Sequence, residues 1–208
     1  MPKKRYALEK KGPKEIEISW GFAWKNFTVK QNDEIIGTVE NQKALKEGRQ
    51  FTLKDGSSLQ VKLNIGLAKA GLEVLHNNEP LPGSDMDPVK LVKNAFGILV
   101  FIAALNIIIG IVLTVFKVPF LDGVFGIGLI VFGLVFAGLA FAVKSYSLIA
   151  LYVAIVLLVI DAIASIAIQV ETHQSSATVW ILVRIFFLIY LFRAIKPMKT
   201  LKAQSNPV

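Results

Sequence analysis

Hydrophobic and polar positions alternate through the first part of this chain and merge into long apolar runs in its second half. Ile16 and Ile18 alternate with Glu15, Glu17 and Ser19, and Phe27 and Val29 alternate with Thr28 and Lys30. A period of two places successive side chains on opposite faces, as half-buried strands require. A turn at Gln31-Asn32-Asp33 leads to a strand over Ile35 to Val39. Asn41 is placed to cap a short helix over Gln42 to Glu47, which Gly48 would end. Phe51 and Leu53, then Asp55-Gly56, then Leu59, Val61 and Leu63 predict a hairpin with a two-residue turn, both central residues at positive φ. A strand over Leu72 to Leu75 meets Asn77-Asn78 and the exit Glu79-Pro80-Leu81-Pro82-Gly83-Ser84. Short strands with one helical turn predict a soluble antiparallel β-sandwich or partly open barrel.

The second half predicts an α-helical membrane protein with a four-helix transmembrane bundle. Four apolar runs, at about 94–116, 120–143, 147–168 and 178–195, each approach the roughly 20 residues needed to cross about 30 Å of hydrocarbon. Lys117, Pro119 and Asp122 mark the first outer turn, and a polar loop over Gln169 to Ala177 marks the second. The expected division is a basic mobile arm (1–14), a cytosolic β domain (15–88), a transmembrane domain (89–196) and a basic cytosolic tail (197–208).

Composition sharpens that split. The chain is 54% hydrophobic with a mean hydropathy of +0.57, high for a soluble protein. Most charged side chains precede residue 94, and there is no cysteine, which excludes disulfides and thiolate metal sites. The opening MPKKRYALEKKGPKEIEISW has basic residues but no apolar run behind them, so no cleavable signal peptide is expected. Lys90, Lys93, Lys144, Arg193, Lys196, Lys199 and Lys202 fall on one side of the four spans and Lys117 on the other, predicting cytosolic termini. The net charge of +8 is then accounted for by anionic lipid headgroups at the cytosolic face, without a nucleic-acid partner.

Within the spans, two ionised residues stand out. Asp161 lies about 10 Å and Arg184 about 9 Å from the outer ends of their helices at the helical rise. A charge at mid-membrane costs roughly 2.5–3.5 kcal/mol, so an ion pair between the two is expected, either as a structural lock or as part of an ion or proton site. Asn106 and Ser165 are further intramembrane polar residues. The spacing Asn106-x-x-x-Gly110 matches Asp161-x-x-x-Ser165, consistent with a parallel duplication of two hairpins. Gly126, Gly133, Ala137 and Ala140 form a stripe of small residues on the second span, with Gly123 beside it, suited to close helix packing. Gly128 and Gly138 point elsewhere. Trp20, Phe22 and Trp24 are expected to cover one end of the β core, or to form an aromatic ligand site.

Catalytic patterns are weak. Gly123, Gly126 and Gly128 imitate a dinucleotide loop without a preceding strand, and after Gly66 and Gly71 a leucine stands where a phosphate loop needs lysine. His76 and His173 fall on opposite sides of the expected membrane, and Glu171 with His173 is at most a weak divalent site. No metal, no cofactor and no nucleophile-base set is expected.

The runs WKNFTV (Trp24 to Val29), FTLKDGSSLQVKL (Phe51 to Leu63) and GLEVLHNNEPLPGSDMDP (Gly71 to Pro88) resemble a group of uncharacterised bacterial multipass membrane proteins. In that group a small β domain precedes four spans, the third bearing an aspartate like Asp161. The resemblance implies a bacterial cytoplasmic membrane and brings no known activity with it. The β domain is also similar in strand rhythm to Fas apoptotic inhibitory molecule domains. The expected function is non-enzymatic, with the bundle anchoring a β module that recognises a protein partner or ligand, or assembles into a complex or homo-oligomer. The alternative is a small oligomeric transporter or channel subunit with Asp161 and Asn106 in a polar path.

Overall fold

The computed structural model describes residues 1–66, 71–116, 123–172 and 177–205. The chain divides into two units, Met1–Lys90 and Leu91–Val208.

In the first unit, alternating side chains build two antiparallel meanders. Strands β1 (Lys3–Tyr6), β2 (Ile16–Ser19), β3 (Phe27–Gln31) and β4 (Glu34–Val39) form one sheet in that order, and β5 (Arg49–Thr52), β6 (Ser58–Asn64), β7 (Gly71–His76) and β8 (Glu79–Pro80) form the other. Helix α1 (Gln42–Glu47) lies between them in sequence, with Asn41 Oδ1 accepting from the backbone N–H of Ala44 at 2.9 Å. Register explains the alternation. Ile16 and Ile18 of β2, Phe27 and Val29 of β3, Leu59 and Val61 of β6, and Leu72 and Val74 of β7 are all fully buried in one shared hydrophobic cluster. Gln31, 5% exposed, joins this core through its side chain, Oε1 accepting from Lys54 N at 2.9 Å.

Two local expectations change. Within the arm read as mobile, Lys3–Tyr6 form strand β1, paired with β2 from Lys3 opposite Ser19 to Tyr6 opposite Ile16. Lys3 and Arg5 are exposed, Lys4 is half-buried against Asp85, and only Tyr6 is buried, so a single apolar residue carried the signal. The Asp55-Gly56 hairpin is not a two-residue turn either. Thr52 pairs with Ser58, Gly56 N donates to Leu53 O at 3.0 Å and Leu53 N to Ser57 O at 2.9 Å. In that loop Gly56 takes a positive φ of 81° and Asp55 does not. Leu53 is 3% exposed, and keeping it in the core makes the loop absorb extra residues at a glycine bulge. The paired positive φ values occur instead at Asn32-Asp33 (51° and 66°) and Asn77-Asn78 (49° and 68°), each joining strands directly.

Asp85 ties this unit together. Lys4 Nζ lies 2.9 Å and Lys90 Nζ 3.0 Å from its carboxylate oxygens, and Leu72 N donates to it at 3.2 Å. Burial pushes the Asp85 carboxyl up, but the bonds and charges of Lys4 and Lys90 outweigh it and hold the group below the ordinary carboxylate range. A depressed folded-state value contributes stability above the unfolded value, near 3.9, that is lost as pH falls through the folded value. Asp85→Asn is therefore expected to cost about 1.5–3 kcal/mol at pH 7, the range for hydrogen bonds to charged groups. In denaturant titrations of the full chain, the gap between wild type and variant should close as pH drops below about 4.

The second unit is helical. Helix α2 (Pro88–Phe116) begins before the expected Asn94, because Asp87 Oδ1 accepts from Val89 N at 2.9 Å and Pro88 occupies the first helical position. Helices α3 (Gly123–Lys144), α4 (Leu148–Thr172) and α5 (Ala177–Ser205) follow. The α3–α4 turn closes with Ser147 N on Ala142 O and Tyr146 N on Val143 O, both 3.0 Å, with Tyr146 at φ 59° where glycine is usual. Helix α5 does not stop at the expected boundary near residue 196. It runs through Pro197, which lacks the N–H of an uninterrupted helix, and the burial of Met198 and packing of Leu201 against the core offset that loss. The expected basic tail is thus largely helical.

Among the described residues, Pro88–Phe116, Gly126–Lys144 and Leu148–Ile166 are long and apolar enough to cross a bilayer. A fourth such span, expected over 178–195, is not among them. The outer turn at Lys117, Pro119 and Asp122 and the loop histidine His173 lie outside the described residues. One hydrophobic cluster joins all four helices, through Leu99 of α2, Phe136 and Ala140 of α3, Leu151 of α4 and Leu191 of α5. These residues come from the first half of α2, the second half of α3, the start of α4 and the middle of α5.

Candidate functional site

Two charges that the sequence leaves in apolar runs meet between α4 and α5. Arg184 of α5 places Nε 2.8 Å from Asp161 Oδ2 of α4, with the two side chains 24% and 30% exposed. Helices α4 and α5 also share the hydrophobic core through Leu158 and Leu191. The pair is charge-neutral, which reduces the cost of placing either ion among apolar side chains.

The pair borders a cavity of about 410 Å³ to which all four helices contribute. Asn106 of α2, Asp161 and Arg184 supply polar groups, while the remaining wall is apolar, including Leu105 and Ile109 of α2 and Phe187 of α5. Asn106 Nδ2 donates to Ile102 O at 2.8 Å, which fixes the orientation of its amide. Ser165, one turn beyond Asp161, donates its hydroxyl to Asp161 O at 2.8 Å and is occupied by its own helix. Asn106 and Asp161 thus line one cavity, and Ser165 is not part of its wall.

The small-residue stripe meets α2. A Cβ built on Gly133 would lie 2.8 Å from Ala103 O and 2.7 Å from Ile107 Cγ1, and one on Gly110 would lie 2.6 Å from Gly126 O. Gly126 likewise packs against Gly110 and Thr114. Gly110 opposite Gly126 and Ala103 opposite Gly133 repeat after two helical turns, so the backbones stay close over that length. Ala140 is fully buried and Ala137 packs beside the shared core. Gly128 and Gly138 face open space. The side-chain surroundings of Gly123 and Glu171 fall outside the description.

The aromatic group of the β unit is divided. Trp20 and Trp24 stack with centroids 4.7 Å apart and pack against the β core, next to Phe27, whereas Phe22 is 94% exposed. Ala23 and Trp24 both adopt positive φ in the short 3-10 turn that carries Phe22. His76 is engaged by the hairpin, its Nε2 lying 2.9 Å from Ser57 Oγ. Among the described residues no group of three or more histidine, cysteine, aspartate or glutamate side chains is placed to hold a metal ion.

The feature that sequence reasoning missed is the cavity. Its polar members were visible as isolated polar residues in apolar runs, but nothing in the apolar pattern says that they border one shared space. Compared with family models, curated proteins and solved structures, the chain matches none.

Proposed function

We propose that this is an integral membrane anchor and scaffold protein, non-enzymatic, whose helices hold the N-terminal β unit at the membrane for recognition of a partner or ligand, or for complex assembly. On this reading α5 is the fourth crossing and both termini lie in the cytosol, in a bacterial cytoplasmic membrane with anionic headgroups beside the lysines. The two β sheets close over their common core as a sandwich.

The observation that carries the anchoring role is the 2.8 Å contact between Arg184 and Asp161, which couples α4 to α5 without needing a substrate. An α5 that shares a core with three membrane-length helices, and pairs its arginine with one of them, is best accommodated in the same lipid environment. A second reading, an oligomeric transporter or channel subunit, draws on the cavity beside Asp161 and Asn106.

A water-soluble carbodiimide separates the two. In proteoliposomes of the full chain, anchoring predicts no modification of Asp161 with Arg184 in place, while carboxylates of the β unit react. Modification of Asp161 from the aqueous phase would establish a water path and favour transport.

A further inference from the structure

We propose that the cavity between the four helices is a lateral binding site for an uncharged single-chain amphiphile from the lipid phase, one with a hydroxyl- or ester-bearing head, such as a monoacylglycerol or long-chain alcohol. The inference goes beyond anchoring but rests on the same membrane placement of α5.

Size comes first. At about 410 Å³ the cavity lies within the range of ligand pockets, roughly 300–1,000 Å³, and far above the space of a packing defect. Its chemistry is divided in the manner of an amphiphile. Asn106, Asp161 and Arg184 bring an amide, a carboxylate and a guanidinium from three different helices, and the rest of the wall is hydrocarbon. Water entering such a space would find few partners beyond that polar edge, whereas an apolar chain would cover the remaining wall.

Access is sideways. Phe101 and Ile109 line the cavity and are also 53% and 37% exposed on the outer surface of α2. The Phe101 ring contacts Phe187 of α5 with centroids 6.0 Å apart, so α2 and α5 both bound the cavity beside this exposed surface. For helices in a bilayer, that outer surface meets acyl chains.

Charge selects the head. The Asp161–Arg184 pair is already balanced at 2.8 Å. A carboxylate or phosphate head would set an anion beside Asp161, and an ammonium head would set a cation beside Arg184, each leaving net charge in a low-dielectric site. A hydroxyl or ester can donate to the carboxylate or accept from the guanidinium while leaving the balance unchanged.

Photolabelling tests this. The full chain, in phosphatidylcholine nanodiscs, is irradiated with a diazirine-bearing monoacylglycerol or with the corresponding fatty acid at pH 7.5, and adducts are mapped by mass spectrometry. The proposal predicts at least tenfold more monoacylglycerol adduct at Leu105, Ile109 and Phe187 than at the exposed Ile149 and Val153 of α4. It also predicts weaker cavity labelling by the fatty acid, and a tenfold loss of cavity labelling in Leu105→Trp, which fills the space. Excess unlabelled monoacylglycerol should suppress cavity adducts but leave Ile149 and Val153 unchanged, a readout independent of whether that variant folds. Equal labelling inside and outside, labelling that does not saturate, or preference for the fatty acid would overturn the assignment. Misplacement of α5 would show separately in a topology measurement.

Discussion

Asp161→Leu is expected to destabilise the helical unit by about 3 kcal/mol, close to the cost of an uncompensated charge among apolar side chains. The loss should exceed that of Arg184→Leu. Without Arg184, the Asp161 carboxyl can take up a proton and become neutral; without Asp161, the guanidinium has no such escape. The double variant Asp161→Leu/Arg184→Leu should recover most of the stability, since it leaves neither ion behind. Detergent-denaturation midpoints of the four proteins form a double-mutant cycle, and a coupling near zero would mean that the 2.8 Å contact contributes nothing to helix association.

Gly133→Leu is expected to have an effect of similar size by a different route. A Cβ at that position would fall 2.8 Å from Ala103 O and 3.1 Å from Ile107 N, both backbone atoms that cannot swing aside. The α2 and α3 backbones must separate, and overpacking of this kind costs about 1–3 kcal/mol, with Gly133 at the upper end. Gly138→Leu, on the same helix but facing open space, should stay within about 0.5 kcal/mol of wild type. The contrast between the two, measured under the same denaturing conditions, separates seam packing from any general effect of leucine in α3.

How far the sequence reached depends on the kind of signal. Strands β2, β3, β6 and β7 were legible because one face of each is fully buried and the other is polar, which enforces strict alternation. Strand β1 was not, because only Tyr6 of its four residues is buried. Turns were read at the right places but not always with the right geometry: Asn32-Asp33 and Asn77-Asn78 take the two-residue form that Asp55-Gly56 suggested. The start of α2 was encoded in Asp87-Pro88, a cap followed by a proline suited to the first turn, and it lies before the apolar run begins. The length of α5 was misjudged for the opposite reason. Pro197 is a strong local stop signal, but buried Met198 outweighs it, and that contact is visible only in three dimensions. The Asp161–Arg184 pair was foreseeable from electrostatics alone, whereas the cavity beside it depends on how four helices pack together.

The number of crossings fixes the side of the membrane on which α5 ends, and the absence of cysteine makes it measurable. Single cysteines at Phe116, Ser145 and Ala203, each in the otherwise thiol-free full chain, can be probed in sealed membrane vesicles of known orientation with a membrane-impermeant maleimide. Four crossings predict that Ser145→Cys and Ala203→Cys react from the cytosolic side and Phe116→Cys from the opposite side. Ala203→Cys reacting from the same side as Phe116→Cys would leave three crossings and contradict the placement of α5 on which the ion pair's role and the lipid site both rest.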